Sequence, residues 1–184
     1  MRHGSLGDCT GLWRRTLLIE ADGSRDVGTD VCWLQGISCY VDSRGFAGVL
    51  HRRGDVFEWQ RDIDIDIDSD SDTAPPEPTP DVGEMHWDGD VLVEKGVHAD
   101  YVEHWVRDAG PVTPVWAMTL GSPHESALLI QVGQAFGWAG PQGVTIGRVG
   151  DGRWGRLAAE RMDGQLRADG VRWSVLSSEG NVQL

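Results

Sequence analysis

The chain is short of positive charge. It has 184 residues, with sixteen lysines and arginines against twenty-nine aspartates and glutamates, for a formal net charge of −13. Lys95 is the only lysine. Such a chain lacks the basic face that nucleic-acid phosphates require, and an anionic membrane surface repels it. Long hydrophobic runs are missing too. No stretch approaches the roughly 18 apolar residues of a membrane span, and the first residues (MRHGSLGDCTG) hold no apolar run of the kind a signal peptide needs. A cytoplasmic protein is expected. Cysteine is scarce and odd in number: Cys9, Cys32 and Cys39 match no zinc spacing. Cys32 and Cys39 could face each other across a hairpin, but buried free thiols in a reducing compartment are the expected state.

Catalytic and cofactor signatures are also absent. Ser122 and Ser126 near His124 do not form Gly-x-Ser-x-Gly, and no glycine-rich phosphate cradle precedes a helix. There is no internal repeat, no heptad pattern and no long amphipathic helix. No cofactor is expected. No metal is expected either: His86, His98 and His104 read as surface or turn histidines.

What the chain does have is alternation. About ten short segments of alternating apolar and polar residues are separated by Gly/Asp turns such as Asp22-Gly23, Gly54-Asp55, Asp88-Gly89 and Asp169-Gly170. This pattern predicts one all-β domain over residues 11–184, behind a loose tail at 1–10. The run of adjacent hairpins favours a single antiparallel up-and-down barrel of about 8–10 strands, wide enough for one small ligand. Residues 155–162 are ambiguous between a helical turn and a strand. An acidic, Pro-rich segment at about 66–82 reads as a solvated loop. Its Asp-x-Asp-x-Asp start resembles a calcium ligand run, but it lacks the glycine and terminal glutamate of the twelve-residue calcium loop. An acidic loop or strand edge, one that could cover a barrel mouth, is the expectation.

Residues 90–107 (DVLVEKGVHADYVEHWVR) organise the functional reading. Tyr101, Glu103, Trp105 and Arg107 occupy alternate positions of a strand and so share a face. Two aromatics, an acid and a base on one face suit a ligand-holding lumen better than a plain apolar core. If one face of every strand points inward, Trp33, Gln35, Tyr40, Asp42, Arg44, Trp59, Arg61 and Glu94 join them, with Trp116 as a further aromatic wall. Nine tryptophans in the whole chain either stack on a ligand or pack between strands. The charged residues either form ion pairs that fix the barrel's register or meet a ligand. In the second case Arg44 or Arg61 would hold a carboxylate, enolate or carbonyl oxygen. Glu103 would be the general acid or base, Tyr101 a proton or oxyanion donor, and Glu94 the competing carboxylate.

Several motifs resemble known barrels. Gly11-Leu12-Trp13 opening the first strand resembles the Gly-x-Trp signature of lipocalins. Ala99-Asp100-Tyr101 with Trp105 resembles their Thr-Asp-Tyr signature, and Trp116 to Pro123 resembles the strand that follows it, with Ser122 where lipocalins carry an arginine stacked on the first tryptophan. Trp13-Arg14-Arg15, Asp30 to Gln35, Tyr40 to Arg44, Asp81-Val-Gly, Glu94 and Tyr101 to Trp105 look like a calycin-like family of fungi and bacteria. The resemblance implies a calycin-like barrel. The arginine bias and 25 glycines suggest a bacterial source. The expected function is binding of a small aromatic or polyketide-like molecule, with a cofactor-independent cyclisation, isomerisation or lyase step, conceivably in natural-product biosynthesis. The alternatives are a non-catalytic carrier and an interaction domain working through the acidic loop. A monomer or homodimer is expected.

Overall fold

The computed structural model describes the backbone of residues 2 and 3, and residues 5–65 and 80–184. The expectations for the acidic loop therefore lie largely outside the described residues.

The chain begins with β1 (Arg2–His3), a 3-10 turn at Leu6–Cys9, β2 (Gly11–Ile19) and β3 (Arg25–Asp26). Then follow β4 (Cys32–Gln35), β5 (Cys39–Asp42), β6 (Phe46–Arg53), β7 (Val56–Asp64), β8 (Asp81–Asp88), β9 (Val91–Gly96) and β10 (Val102–Arg107). Each barrel strand pairs antiparallel with its neighbour in sequence, and β10 returns to β2, closing an eight-stranded up-and-down barrel. β1 and β3 are short additions on β8 and β2. The expected all-β antiparallel barrel is present. It is complete by Arg107, however, and does not use the rest of the chain.

The remaining strands build a second sheet. They are β11 (Val115–Gly121), β12 (Ser126–Val132), β13 (Ala135–Gly140), β14 (Gly143–Arg148), β15 (Glu160–Met162), β16 (Gln165–Ala168) and β17 (Val171–Gly180). They form a seven-stranded sheet in the order β14-β13-β12-β11-β17-β16-β15, curled into a half-barrel. The ambiguous 155–162 stretch divides between a helix α1 (Gly152–Leu157) and β15. Asp151 caps α1, its carboxylate accepting from the N–H groups of Arg153 and Trp154.

Central β12 explains how the sheets meet. From Ala127 to Val132 every residue is buried, as in a strand covered on both faces, and the one polar side chain, Gln131, donates to the Gly133 carbonyl. Leu128, Ile130 and Val132 pack with Leu34, Val41 and Ala47 of the barrel wall. Ala127 and Leu129 face the other way, into a core of Trp116, Phe136, Trp138 and Trp173 with Leu157 of α1. A third core fills the barrel itself and includes Trp13, Leu50, Phe57, Met85 and Leu92. One local feature shapes the wall. β6 and β7 slip register between Ala47 and Gly48, and a Cβ at Gly48 would collide with the Gln60 carbonyl oxygen, so the bulge requires glycine. All three cysteines are unpaired, and burial pushes the Cys9 and Cys39 thiols up to about 12. Among the described residues, no helix is long and apolar enough to cross a membrane.

Candidate functional site

The two ends of the barrel differ. At one end the 3-10 turn packs into the lumen through Leu6 and Cys9, and the Trp13 indole donates to the Cys9 carbonyl at 2.6 Å. Trp13 stacks on Trp33 at 5.8 Å, so tryptophan fills this half as core. The other end carries the β5–β6 and β9–β10 turns. It encloses a cavity of about 190 Å³ lined by Trp33, Asp42, Arg44, Trp59, Arg61, Asp81, Glu94, Tyr101, Glu103 and Trp105.

The strand geometry explains this convergence. Glu94 of β9 and Glu103 of β10 are direct cross-strand partners, as are Trp33 of β4 and Asp42 of β5. Side chains opposite each other on a sheet lie close together on the same face. Tyr101 lies just before β10, and its hydroxyl donates to Glu94 Oε1 at 2.8 Å, while the Trp105 indole donates to Glu94 Oε2 at 3.1 Å. Glu103 sits between two arginines: Arg15 Nη1 donates to its Oε1 at 2.9 Å and Arg44 Nη1 at 3.3 Å. Arg44 also forks Asp42, through Nε and Nη2 at 2.9 Å each. At the rim Arg61 bridges Asp64 at 3.1 Å and Asp81 at 2.8 Å.

The two glutamates differ in surroundings. Burial, then repulsion by Glu103, lifts the Glu94 carboxyl to about 8, with the Tyr101 hydrogen bond opposing. Burial also raises Glu103, but the Arg44 charge and the Arg15 hydrogen bond pull it back. Two adjacent buried carboxylates share their protons unequally. The one without a cation in contact, Glu94, is the one that retains its proton near neutrality. Burial and the neighbouring Glu94 raise the Tyr101 phenol, so it is a donor. Burial by itself depresses Arg44, but its bonds to Asp42 and the Asp42 charge reverse this, and it stays a cation.

No family model, curated protein or solved structure matches this chain. The site therefore has to be read from its own residues.

Of the residues singled out from the sequence, Trp33, Asp42, Arg44, Trp59, Arg61, Glu94, Tyr101, Glu103 and Trp105 line the cavity, and four do not. Arg107, grouped with Tyr101, Glu103 and Trp105 by alternation, is exposed at the other end of the barrel, beside Trp13. Gln35 lies toward the filled end, where its amide oxygen accepts from the Trp33 indole N–H and its amide nitrogen donates to the Ser38 and Cys39 carbonyls. Tyr40 is fully buried and its hydroxyl donates to the Gln60 carbonyl. Trp116 is in the second sheet, in the core away from the barrel, because the barrel ends before its strand begins. Ser122 likewise follows a strand of the second sheet, and the guanidinium over Trp13 is that of Arg107, 5.7 Å from the ring, on the last barrel strand.

Arg15, Asp26 and Asp81 were missed. Arg15 is 7% exposed and spans Glu103 and Asp26. It shares parity with Trp13 on β2, and that signal alone could have placed it inward.

Proposed function

We propose that this chain is a calycin-like barrel whose mouth binds one compact organic molecule and exchanges a proton with it through Glu94. The observation that carries this reading is the carboxyl pair: a proton-retaining Glu94 opposite an arginine-held Glu103, in an open-ended cavity walled by three tryptophans. The closed antiparallel barrel with its 3-10 plug, and Arg107 over Trp13, support the calycin-like assignment. The cavity is below the ~300–1,000 Å³ of pockets for drug-sized ligands, so a single-ring molecule fits better than a fused polyketide skeleton.

Glu94 suits the chemistry better than Glu103, the first choice from sequence. A carboxyl titrating near neutrality can both give and recover a proton, whereas Glu103 is tied to two guanidiniums. In an isomerisation, Glu94 protonates one substrate atom and its carboxylate recovers a proton from another, so the enzyme ends unchanged. Tyr101 holds Glu94 in position and offers a hydroxyl at the cavity wall. The unpaired cysteines suit a reducing compartment such as the cytoplasm.

Native mass spectrometry of the purified protein, before and after denaturation, tests the reading. A co-purifying molecule of defined mass is the expected result. Glu94→Gln should then retain it but lose any turnover of it. A protein that is empty, and whose tryptophan emission no small aromatic or acyl compound alters, would remove the binding reading. A ligand bound equally by both forms and never converted would leave a carrier, a reading favoured by the number of charges already locked in ion pairs.

A further inference from the structure

The charge balance at the mouth narrows the class of ligand, on the reading that the mouth is a binding site. Three guanidinium groups meet five carboxylates there. Arg15 spans Asp26 and Glu103, Arg44 spans Asp42 and Glu103, and Arg61 spans Asp64 and Asp81. Glu94 adds a sixth carboxyl. An anion entering the cavity would meet arginines already neutralised and an excess of carboxylate, so the carboxylate or enolate partner expected for Arg44 or Arg61 has no uncompensated charge to bind.

Two further observations favour the opposite sign. Glu103 is only 2% exposed, and the two hydrogen bonds it accepts from described residues both fall on Oε1. Oε2 accepts none among the described residues, although the side chain lines the cavity. A carboxylate oxygen whose lone pairs no described donor engages can accept a ligand N–H from the cavity. The walls add to this. Trp59 and Trp105 each stand edge-on to Trp33, at interplanar angles of 67° and 70°, so the rings bound the cavity on different sides. Indole faces attract cations, and Arg44 already lies 5.7 Å over Trp105.

We infer that the ligand of the barrel mouth is a compact organic cation whose ammonium group donates to Glu103 Oε2 while its carbon skeleton rests against Trp33, Trp59 and Trp105. A metal ion does not fit: no group of three His, Cys, Asp or Glu side chains among the described residues is placed to hold one. The cation also gives Glu94 a second role. Its charge lowers the affinity of Glu94 for its proton, so binding near neutral pH releases a proton and leaves a carboxylate ready to act as base.

Benzylammonium, benzyl alcohol and benzoate match in size and differ in charge, and calorimetric titration of the full chain with each tests the inference. Benzylammonium should bind at least about tenfold more tightly than the alcohol, on the scale of one cation–π contact plus one charged hydrogen bond, and benzoate should not bind. Repeating the benzylammonium titration near pH 7 in two buffers of different ionisation enthalpy should show net proton release. Asp81→Asn, a change at the rim rather than in the buried ion pairs, should weaken benzylammonium about two- to threefold by removing a nearby charge, a larger loss than benzyl alcohol shows. Alcohol or benzoate binding as tightly as benzylammonium would overturn the cation class and leave the binding reading standing. Failure of all three to bind at millimolar concentration would overturn both.

Discussion

Ser38 gives both of its donors to Glu179: its backbone N–H reaches Oε2 at 2.9 Å and its hydroxyl reaches the same oxygen at 2.6 Å. The N–H groups of Ile37 and Cys39 add bonds to Oε1 at 3.1 and 3.0 Å. One carboxylate on the last strand of the second sheet thus satisfies three successive N–H groups of the β4–β5 turn in the barrel. Gly36 makes the approach possible, since a Cβ there would come within 3.0 Å of Glu179 Oε1 and 2.8 Å of Ile130 Cδ1. The sheets are therefore keyed together by polar as well as apolar contact.

Glu179→Ala should cost about 2–3 kcal/mol, the scale of hydrogen bonds to a charged group, moderated because water can reach part of the turn. Urea unfolding followed by tryptophan fluorescence should show a lower midpoint with an unchanged slope. Glu179→Gln should recover part of the loss, because its amide oxygen still accepts.

Glu94 should make the fold more stable at acid pH than at alkaline pH. Its folded pKa, about 8, lies above that of an unfolded carboxyl, near 4.5. Between these values the folded state binds the extra proton, so stability falls as pH rises through this window, and the full penalty is present above it. The charged groups acting on it are Glu103, Asp81 and Arg44, with Tyr101 donating to it. The Tm should fall by at most roughly 3–5 °C per pH unit for a chain of this size. In Glu94→Gln that slope should flatten, and the variant should out-melt the parent at pH 9. Parallel curves would show that Glu94 is ionised throughout.

Arg15 should be worth more than any exposed charge on the chain. Arg15→Met leaves Glu103 with one cationic partner in place of two and should cost about 3 kcal/mol, as breaking a buried pair does. Adding Glu103→Gln should restore part of this, and the double-mutant cycle should give a coupling above ~1 kcal/mol. Additive losses would mean that the two side chains do not act as a pair.

Gly83 lies diagonal to Glu94 on the neighbouring strand, where an added Cβ would lie 2.8 Å from Glu94 Cγ and 3.1 Å from Oε1. Gly83→Ala should keep the fold but displace the carboxyl from Tyr101 and Trp105. Titration of the Glu94 side-chain carbon resonance by NMR should show its midpoint moving down towards the ordinary carboxylate range as water gains access. A midpoint unchanged from the parent would show that the carboxyl had not moved.

The sequence by itself determined the strand class, most turn positions and which residues of each strand share a face, because period-two alternation and Gly/Asp turns are local properties of the chain. That local rule puts Glu103 and Trp105 on one face of their strand without knowledge of the partners. Tertiary structure decided where the barrel stops. The short apolar run of β12, residues 127–130, is equally compatible with a barrel strand and with a sheet covered on both faces, and only packing against Leu34 and Val41 distinguishes them; this is why Trp116 was misplaced. Tertiary structure also decided which glutamate keeps its proton. Glu94 and Glu103 look alike in sequence, but Arg15 arrives from 88 residues away to hold one of them, and the desolvation and charge that set a carboxyl's proton affinity depend on neighbours in space.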